Sequence, residues 1–501
     1  MSWLKDIPEA HRDKVKLLIL ENLDLRERLR LERIEKYGPA AERLSDAQLE
    51  LLELEPGVNA AEVEAEAQRA QLQLALKAKS GDRKRPTGRQ PLPPELPRVE
   101  QIIACSQEQC ICGKCGKPTV VIGYETAERL DREPAKYFVR VLKREKRACS
   151  SCAQGGVQTA ALPARIIQKS IVSDRVIIDT VIAKYCDYQP LYRQSAILER
   201  EVGLEISRTT MCDWVMQVGE LLRPITASMR QELLTGDYLQ ADETPLMVQV
   251  PGLGRNHRAY LWQYSRPQGN VVFDFQMGRG REGPRKFLGN YEGILQTDGY
   301  SAYDEVGGTK VIRAGCWSHA RRKFFQALQV DPQQKPALEL VATIDELFSI
   351  EARAQEGRFD ARQRLALRQA EAGPWLEKIK ALALEARKAA LPRSRLAEGC
   401  DYLLKRWKQL TSFLQHGQLE LSTNLAENAI RPIALGRKNW IHLGCEGAGP
   451  RIAAIISVIE TCRRLQIRPR DYFDAILPGL ADFPVNCVAE LTPTVWVQTR
   501  L

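Results

Sequence analysis

The chain has 501 residues, 44% of them hydrophobic and 27% charged, which are the proportions of an ordinary soluble protein too long for a single core. No apolar run reaches the about 18 residues that a membrane span needs, and Lys5, Asp6 and Glu9 stand where a secretory signal would be apolar, so the expectation is a cytoplasmic protein with no membrane partner. A formal net charge of +10 favours a polyanionic partner, and six of the thirteen cysteines fall between Cys105 and Cys152, a clustering that suits a metal site in a reducing compartment.

In chain order, the first region (1–79) reads as helical. Val15, Leu18, Asn22, Leu25 and Leu29 recur at steps of three and four, a short heptad seam. It admits two readings: a coiled coil that joins copies of the chain into a homo-oligomer, with Asn22 fixing the register, or an amphipathic helix packed on its own chain. A basic, proline-rich linker follows (80–99), carrying Arg83, Lys84, Arg85, Arg89 and Arg98 among prolines 86, 91, 93, 94 and 97. It is either a solvated tether or an arm lying along phosphates.

The third region (100–160) contains Cys112-Gly-Lys-Cys115 and Cys149-Ser-Ser-Cys152, with Cys105 and Cys110 nearby. Two CxxC knuckles supply four thiolates for a closed tetrahedral Zn²⁺ site, and strands within Val120 to Arg147 would return the chain to the ion. With all four positions filled by protein, such a zinc is structural.

Residues 165–230 are expected to be helical. Tyr192 to Val202, the turn Gly203-Leu-Glu-Ile206 and the capped segment from Ser207 have the form of a helix-turn-helix. Arg208, Thr209 and Thr210 would start the second helix, where groove contacts are made. Helical bundles that touch no DNA carry the same pattern.

The region 235–450 holds two aspartates, Asp242 and Asp298, each after an apolar strand-like run. Between them come strand-like runs at Arg258 to Ser265 and Asn270 to Met277 and a short helix around Pro284 to Leu288. A fifth strand at Thr309 to Arg313 and a helix from Trp317 follow. Five strands with helices after the third, fourth and fifth have the order of the ribonuclease-H-like fold, so the fold class expected is multidomain α+β with that α/β core. Asp242 and Asp298 would lie side by side at the ends of neighbouring strands.

Cys316 and His319 share one helical turn and either hold a metal together or serve a structural role by packing or polar bridging. An insertion of three or four helices occupies about 330–415, broken near Gly373-Pro374 and Pro392. A helix capped by Asn424 then presents Glu427 in its first turn and Arg431 one turn later, before a basic loop with Arg437, Lys438 and Trp440 and a C-terminal helical region (451–501).

Asp242, Asp298 and Glu427 together offer three hard oxygen ligands for Mg²⁺ or Mn²⁺, the setting for two-metal phosphoryl transfer. Glu243, Asp304 and Glu305 are the nearest competitors for the role.

The residues also carry a resemblance. Lys36-Tyr-Gly-Pro, Arg89-Gln-Pro-Leu-Pro and Pro190-Leu-Tyr-Arg-Gln are joined by Ala241-Asp-Glu-Thr-Pro, Thr297-Asp-Gly-Tyr, Cys316-Trp-Ser-His-Ala-Arg-Arg-Lys-Phe, Ala426-Glu-Asn-Ala-Ile-Arg-Pro and Leu435-Gly-Arg-Lys-Asn-Trp. Over nearly its whole length the chain resembles the large transposase subunit of the IS-sixty-six group of bacterial insertion sequences. The resemblance implies a DDE transposase of ribonuclease-H-like fold, with a zinc-finger region and a helical insertion before the glutamate. It also implies Mg²⁺-dependent cutting and joining of double-stranded DNA at element ends, small accessory proteins encoded alongside, and a nucleoid-associated place in the bacterial cytoplasm. By motif, its acidic triad falls on Asp242, Asp298 and Glu427. Ser422-Thr-Asn424 and Ile441-His-Leu-Gly depart from the usual pattern. A non-catalytic DNA-binding regulator and a nuclease without joining activity stand as alternatives.

Overall fold

A computed structural model describes residues 137–148 and 157–499, together with Asn22, Leu25 and Pro118. The chain divides into two compact units, 76–160 and the remainder. In the first, β1 (Lys146–Ala148) pairs antiparallel with β2 (Val157–Thr159), Lys146 opposite Thr159. Arg144 Nε donates to the Ala160 carbonyl at 2.6 Å. Cys112, Cys115, Cys149 and Cys152, the linker at 80–99 and the heptad seam lie outside the described residues, except that Asn22 and Leu25 are helical and exposed.

From residue 161 onward the larger unit opens with three helices, α1 (Asp174–Tyr185), α2 (Leu191–Val202) and α3 (Arg208–Leu234). Gly203 ends α2 with φ +67°, a left-handed conformation that favours glycine, and Ser207 caps α3 by accepting the Thr210 N–H at 3.1 Å. Two helices joined by a short turn thus stand here, the second running 27 residues to Leu234, well past Val218, where the sequence segment is expected to end.

Next come β3 (Tyr238–Val248), β4 (His257–Ser265), β5 (Val271–Gln276), α4 (Glu282–Leu288), β6 (Ile294–Gln296) and β7 (Ile312–Ala314). They form one mixed sheet in the order β5-β4-β3-β6-β7, antiparallel on the β5-β4-β3 side and parallel from β3 through β6 to β7. Side chains alternate across it as the pleat requires. Leu239, Ala241 and Leu295 enter one core with α3, while Tyr238, Ile294 and Ala314 enter a second core with the later helices.

The expected helix after the fourth strand is absent. Only a 3₁₀ turn, Ser301–Tyr303, follows β6, because Gly299 (φ +84°), Glu305 (φ +57°) and Gly307 (φ +82°) interrupt any helical run. The fifth strand starts three residues later than predicted.

The insertion consists of α5 (Trp317–Val330), which opens it, then α6 (Lys335–Glu356), α7 (Ala361–Ala389), α8 (Arg395–Lys405) and the short α9 (Trp407–Leu410). The predicted break at Gly373-Pro374 does not occur. Pro374 lies on the exposed face of α7, while Ala372, Leu376, Ile379 and Ala383 on the opposite face stay buried and carry the helix through.

Beyond it, α10 (Asn424–Trp440) crosses β3 and β4, and α11 (Gly449–Arg464) packs on α3 and β5, followed by α12 (Pro469–Ile476) and α13 (Pro493–Gln498). Outward-facing groups of the edge strand β5 are met by α11: Ser457 Oγ accepts the Phe273 N–H at 2.8 Å, and Thr461 Oγ1 accepts the Val271 N–H at 2.9 Å. No helix among the described residues is long and apolar enough to cross a membrane.

Candidate active site

The two aspartates meet through strand register. β3 and β6 run parallel with Tyr238 opposite Ile294, Leu239 opposite Leu295 and Gln240 opposite Gln296. The same offset carried two residues further sets Asp242 against Asp298. Asp242 is not at a strand end as expected, because β3 continues to Val248 in a hairpin with β4, where Asp242 faces Gln263. The parallel pairing is what ends there. Asp242 Oδ1 accepts the Glu243 N–H at 2.8 Å, and Asp298 Oδ1 accepts the Tyr300 N–H at 2.7 Å.

Glu427 reaches the same place from α10. The helix starts one residue earlier than expected: Thr423 occupies the cap position, its carbonyl accepting the Ala426 and Glu427 N–H groups at 3.0 Å, and Asn424 is buried inside the first turn. Two fully buried glutamines set the approach to this helix. Gln240 Nε2 donates to the Ser422 carbonyl at 2.9 Å, and Gln296 Nε2 donates to the carbonyls of Glu420 (2.8 Å) and Gly315 (3.0 Å). Tyr238 Oη joins them by donating to Gln296 Oε1 at 2.6 Å. Each glutamine precedes an aspartate by two residues, so one polar ladder fastens all three carboxylate-bearing elements.

Burial, and then the Glu427 carboxylate, push the Asp242 carboxyl well above the usual carboxylate range. Burial acts on Glu427 in the same direction, but Arg322 and His319 on α5 outweigh it and hold Glu427 below its ordinary value. Arg322 reaches Glu427 Oε2 at 3.1 Å and His319 Nε2 at 3.3 Å, and His319 Nδ1 lies 3.6 Å from Glu427 Oε1. Burial would depress His319, yet the Cys316 sulfur and Glu427 lift it to about 9. Cys316 is fully buried and its Sγ accepts the Thr423 N–H at 3.3 Å, so it bridges α5 to the start of α10.

Three carboxylates are the donor set of a hard divalent ion, and Glu427 Oε1 is buried with no hydrogen-bond partner. The chemistry of the set therefore fits Mg²⁺ or Mn²⁺. Among the described residues no three His, Cys, Asp or Glu groups converge to metal-holding spacing, Glu427 being drawn toward Arg322 and His319.

The competing acids are engaged elsewhere. Glu243 pairs with Arg279 at 2.6 Å and accepts the Tyr303 hydroxyl at 2.9 Å, and Glu305 pairs with Arg281 at 2.5 Å. Asp304 is exposed. Arg431 is near enough to lower the Glu427 pKa. Arg437 and Lys438 belong to the last turn of α10 and not to a loop, since the helix runs on to Trp440. Arg437 donates to Thr244 Oγ1 (3.0 Å) and the Pro245 carbonyl (2.7 Å), tying α10 to β3, while Lys438 is exposed. Arg208 and Thr209 are exposed at the start of α3, and Thr210 Oγ1 lies 3.0 Å from Ser207 Oγ. Sequence reasoning missed Gln240 and Gln296; their equal spacing from the two aspartates was the available signal.

The model of a family described as "Transposase IS66 family" matches residues 169–450, which take in every strand of the large sheet, α5 to α10 and all three acidic residues. The chain belongs to this family. Two further models of IS66 proteins match earlier parts of the chain: "Transposase C of IS166 homeodomain" over 24–100, and "zinc-finger binding domain of transposase IS66" over 109–153, which includes all four cysteines of the two CxxC pairs. Similar proteins occur in Sinorhizobium fredii. "Uncharacterized protein y4qI" is 32% identical over 444 residues, covering 85% of this chain and 80% of the relative. "Uncharacterized protein y4hP" is 31% identical over 497 residues, covering 94% and 87%.

Proposed function

We propose that this IS66-family transposase binds the ends of an insertion sequence and catalyses metal-dependent cleavage and strand transfer on double-stranded DNA. The observation that carries the reading is the shared offset of β3 and β6, which sets Asp242 against Asp298, with Glu427 on α10 near enough to raise the Asp242 pKa. The strand order β5-β4-β3-β6-β7 is that of the ribonuclease-H-like fold and supports the same assignment.

Asp242, Asp298 and Glu427 would hold Mg²⁺ or Mn²⁺. The chemistry supplied by such bound ions is activation of the attacking water or 3′-hydroxyl and stabilisation of the leaving oxygen. The N–H groups of Glu243 and Tyr300 orient one oxygen of each aspartate, and Arg322 with His319 keeps Glu427 ionised. DNA is held by the linker at 80–99, by Arg208, Thr209 and Thr210 at the start of α3, and by Arg431, Arg437 and Lys438 on α10, with Arg437 also bracing β3. Structural Zn²⁺ on Cys112, Cys115, Cys149 and Cys152 is proposed from their spacing and the matching zinc-finger model. The domains we propose keep the sequence boundaries: 1–79 N-terminal helical and coiled-coil region, 80–99 linker, 100–160 zinc region, 165–230 helix-turn-helix-like, 235–450 catalytic and 451–501 helical.

The placement of Glu427 against Arg322 and His319, short of metal-holding spacing, favours a second reading: a DNA-binding regulator without catalysis. The test is reaction of the purified protein with DNA carrying its own element's ends in Mg²⁺. Cleaved and joined products are expected, with Asp298→Asn losing both steps while still binding the ends. Strand transfer by Asp298→Asn sinks the triad, end binding without cleavage by the wild type supports the regulator, and cleavage without joined strands identifies a nuclease.

A further inference from the structure

Asp298 sits where the sheet's own support ends. β6 is three residues long, its pairing with β3 stops at Gln296, and beyond it the backbone forms only one 3₁₀ turn, Ser301–Tyr303, before β7. Local bonds hold the turn to itself: Thr297 Oγ1 accepts the Gly299 N–H and Asp298 Oδ1 accepts the Tyr300 N–H. Outside contacts then fix the turn in space: the Thr297 N–H donates to the Ala314 carbonyl of β7 and Tyr300 Oη to the Arg279 carbonyl at 3.0 Å, but the contacts to the carbonyls of Asp298 and Gly299 come from the helical insertion. Tyr402, on α8, donates its hydroxyl to the Asp298 carbonyl at 2.6 Å. Arg406, in the bend between α8 and α9, donates to the Gly299 carbonyl. The Arg406 guanidinium also lies 4.6 Å from the centre of the Tyr402 ring, so the two side chains form one clamp. Gly299 adopts φ +84°, and a Cβ there would collide with Arg406 Nε, so the backbone is seated directly against the clamp.

We infer that Tyr402 and Arg406 are positioning residues by which the helical insertion sets the Asp298 carboxylate for metal-dependent chemistry. The inference rests on the proposed triad. Neither side chain touches the reacting atoms; both act on the backbone that carries Asp298.

The test compares wild type, Tyr402→Phe and Arg406→Lys, with Asp298→Asn as the control for the triad. Two measurements are made on the full chain: amide hydrogen exchange of the peptide spanning 297–303 in the absence of metal, and cleavage of element-end DNA across a Mg²⁺ titration. Tyr402→Phe is expected to speed exchange in that peptide while leaving exchange in β3 unchanged. It should also raise the half-saturating Mg²⁺ concentration by about tenfold, the low end of the loss expected when an outer partner of a metal ligand is removed. Arg406→Lys should act in the same direction. A general folding defect would instead lower the rate equally at every Mg²⁺ concentration. Unchanged exchange, or a uniform rate loss with no shift in Mg²⁺ dependence, overturns the inference while an inactive Asp298→Asn protein leaves the triad standing. Full cleavage by Asp298→Asn overturns the triad, and the role assigned to the clamp with it.

Discussion

Gln240 Nε2 lies 2.9 Å from the carbonyl oxygen of Ser422, a hydrogen bond between the strand that carries Asp242 and the segment that leads into Glu427. Both ends are buried. Gln240→Leu removes the donor while the Ser422 carbonyl and the Tyr238 and Gln296 oxygens remain in place, so a loss of about 2–3 kcal/mol is expected for a buried polar network left incomplete. Denaturant unfolding measures it. Combination with Gln296→Leu should give less than the sum of the two single losses, because the glutamines share Tyr238 and the same segment.

The insertion grips the same segment through charge. Arg368 and Glu351 are almost completely buried, joined by bonds of 2.8–2.9 Å, and Arg368 Nη2 also donates to the Leu419 carbonyl at 2.8 Å. Arg364 binds Glu351 and holds Glu420 through two bonds of 2.6 and 2.9 Å. Arg368→Met leaves the buried Glu351 carboxylate to Arg364 alone and removes the donor to the Leu419 carbonyl, so a cost of about 3 kcal/mol is expected, the low end for a broken buried pair, whereas a pair replaced together by apolar residues is often neutral. The double variant Arg368→Met/Glu351→Leu should therefore unfold at a higher denaturant concentration than Arg368→Met alone.

A smaller loss is expected at the sheet's edge. Ser457→Ala leaves the Phe273 N–H without its acceptor, and Thr461→Val does the same to the Val271 N–H while also removing a donor to the Val271 carbonyl. Each should cost about 1–3 kcal/mol, the range for an orphaned buried donor. Thermal melting of each variant provides the measurement.

Lys184 supplies a pH dependence remote from the carboxylates. Burial lowers its pKa from 10.5 to about 8, although the ammonium lies 5.4 Å from the Tyr185 ring centre and 5.7 Å from that of Trp440. The unfolded chain binds this proton more tightly than the folded one. Its destabilising contribution is therefore fully present below pH 8 and is relieved as pH rises toward 10.5. Lys184→Met should raise stability at pH 7 by about 2 kcal/mol, and the gain should shrink toward zero near pH 10.5. Urea midpoints of wild type and variant at pH 7, 9 and 10.5 measure the difference.

The strand runs that hold Asp242 and Asp298 were readable in the sequence because the apolar residues around them are consecutive enough to stand out, and the turns between β3, β4 and β5 are short. Glu427 was readable because helical spacing put it in a first turn. The glutamine ladder was not, since a glutamine within a strand looks like a solvent-facing residue until a carbonyl from some 180 residues away is placed over it, as Ser422 is over Gln240. Pro374 misled for the opposite reason. A local breaker was overridden by tertiary packing on the other face of α7. The same limit hid the second role of Arg437: a cation near a helix end reads as a ligand contact, and its bonds to Thr244 and Pro245 depend on how α10 crosses β3.

Ser457 and Thr461 have a consequence for assembly. By turning hydroxyls onto β5 they engage the N–H groups of Val271 and Phe273 and the Val271 carbonyl, groups through which a second chain would otherwise continue the sheet. A second copy of the chain is thus hindered from adding a strand along that part of the border. Any pairing of copies at this side of the sheet therefore falls to surfaces other than those two residues of β5.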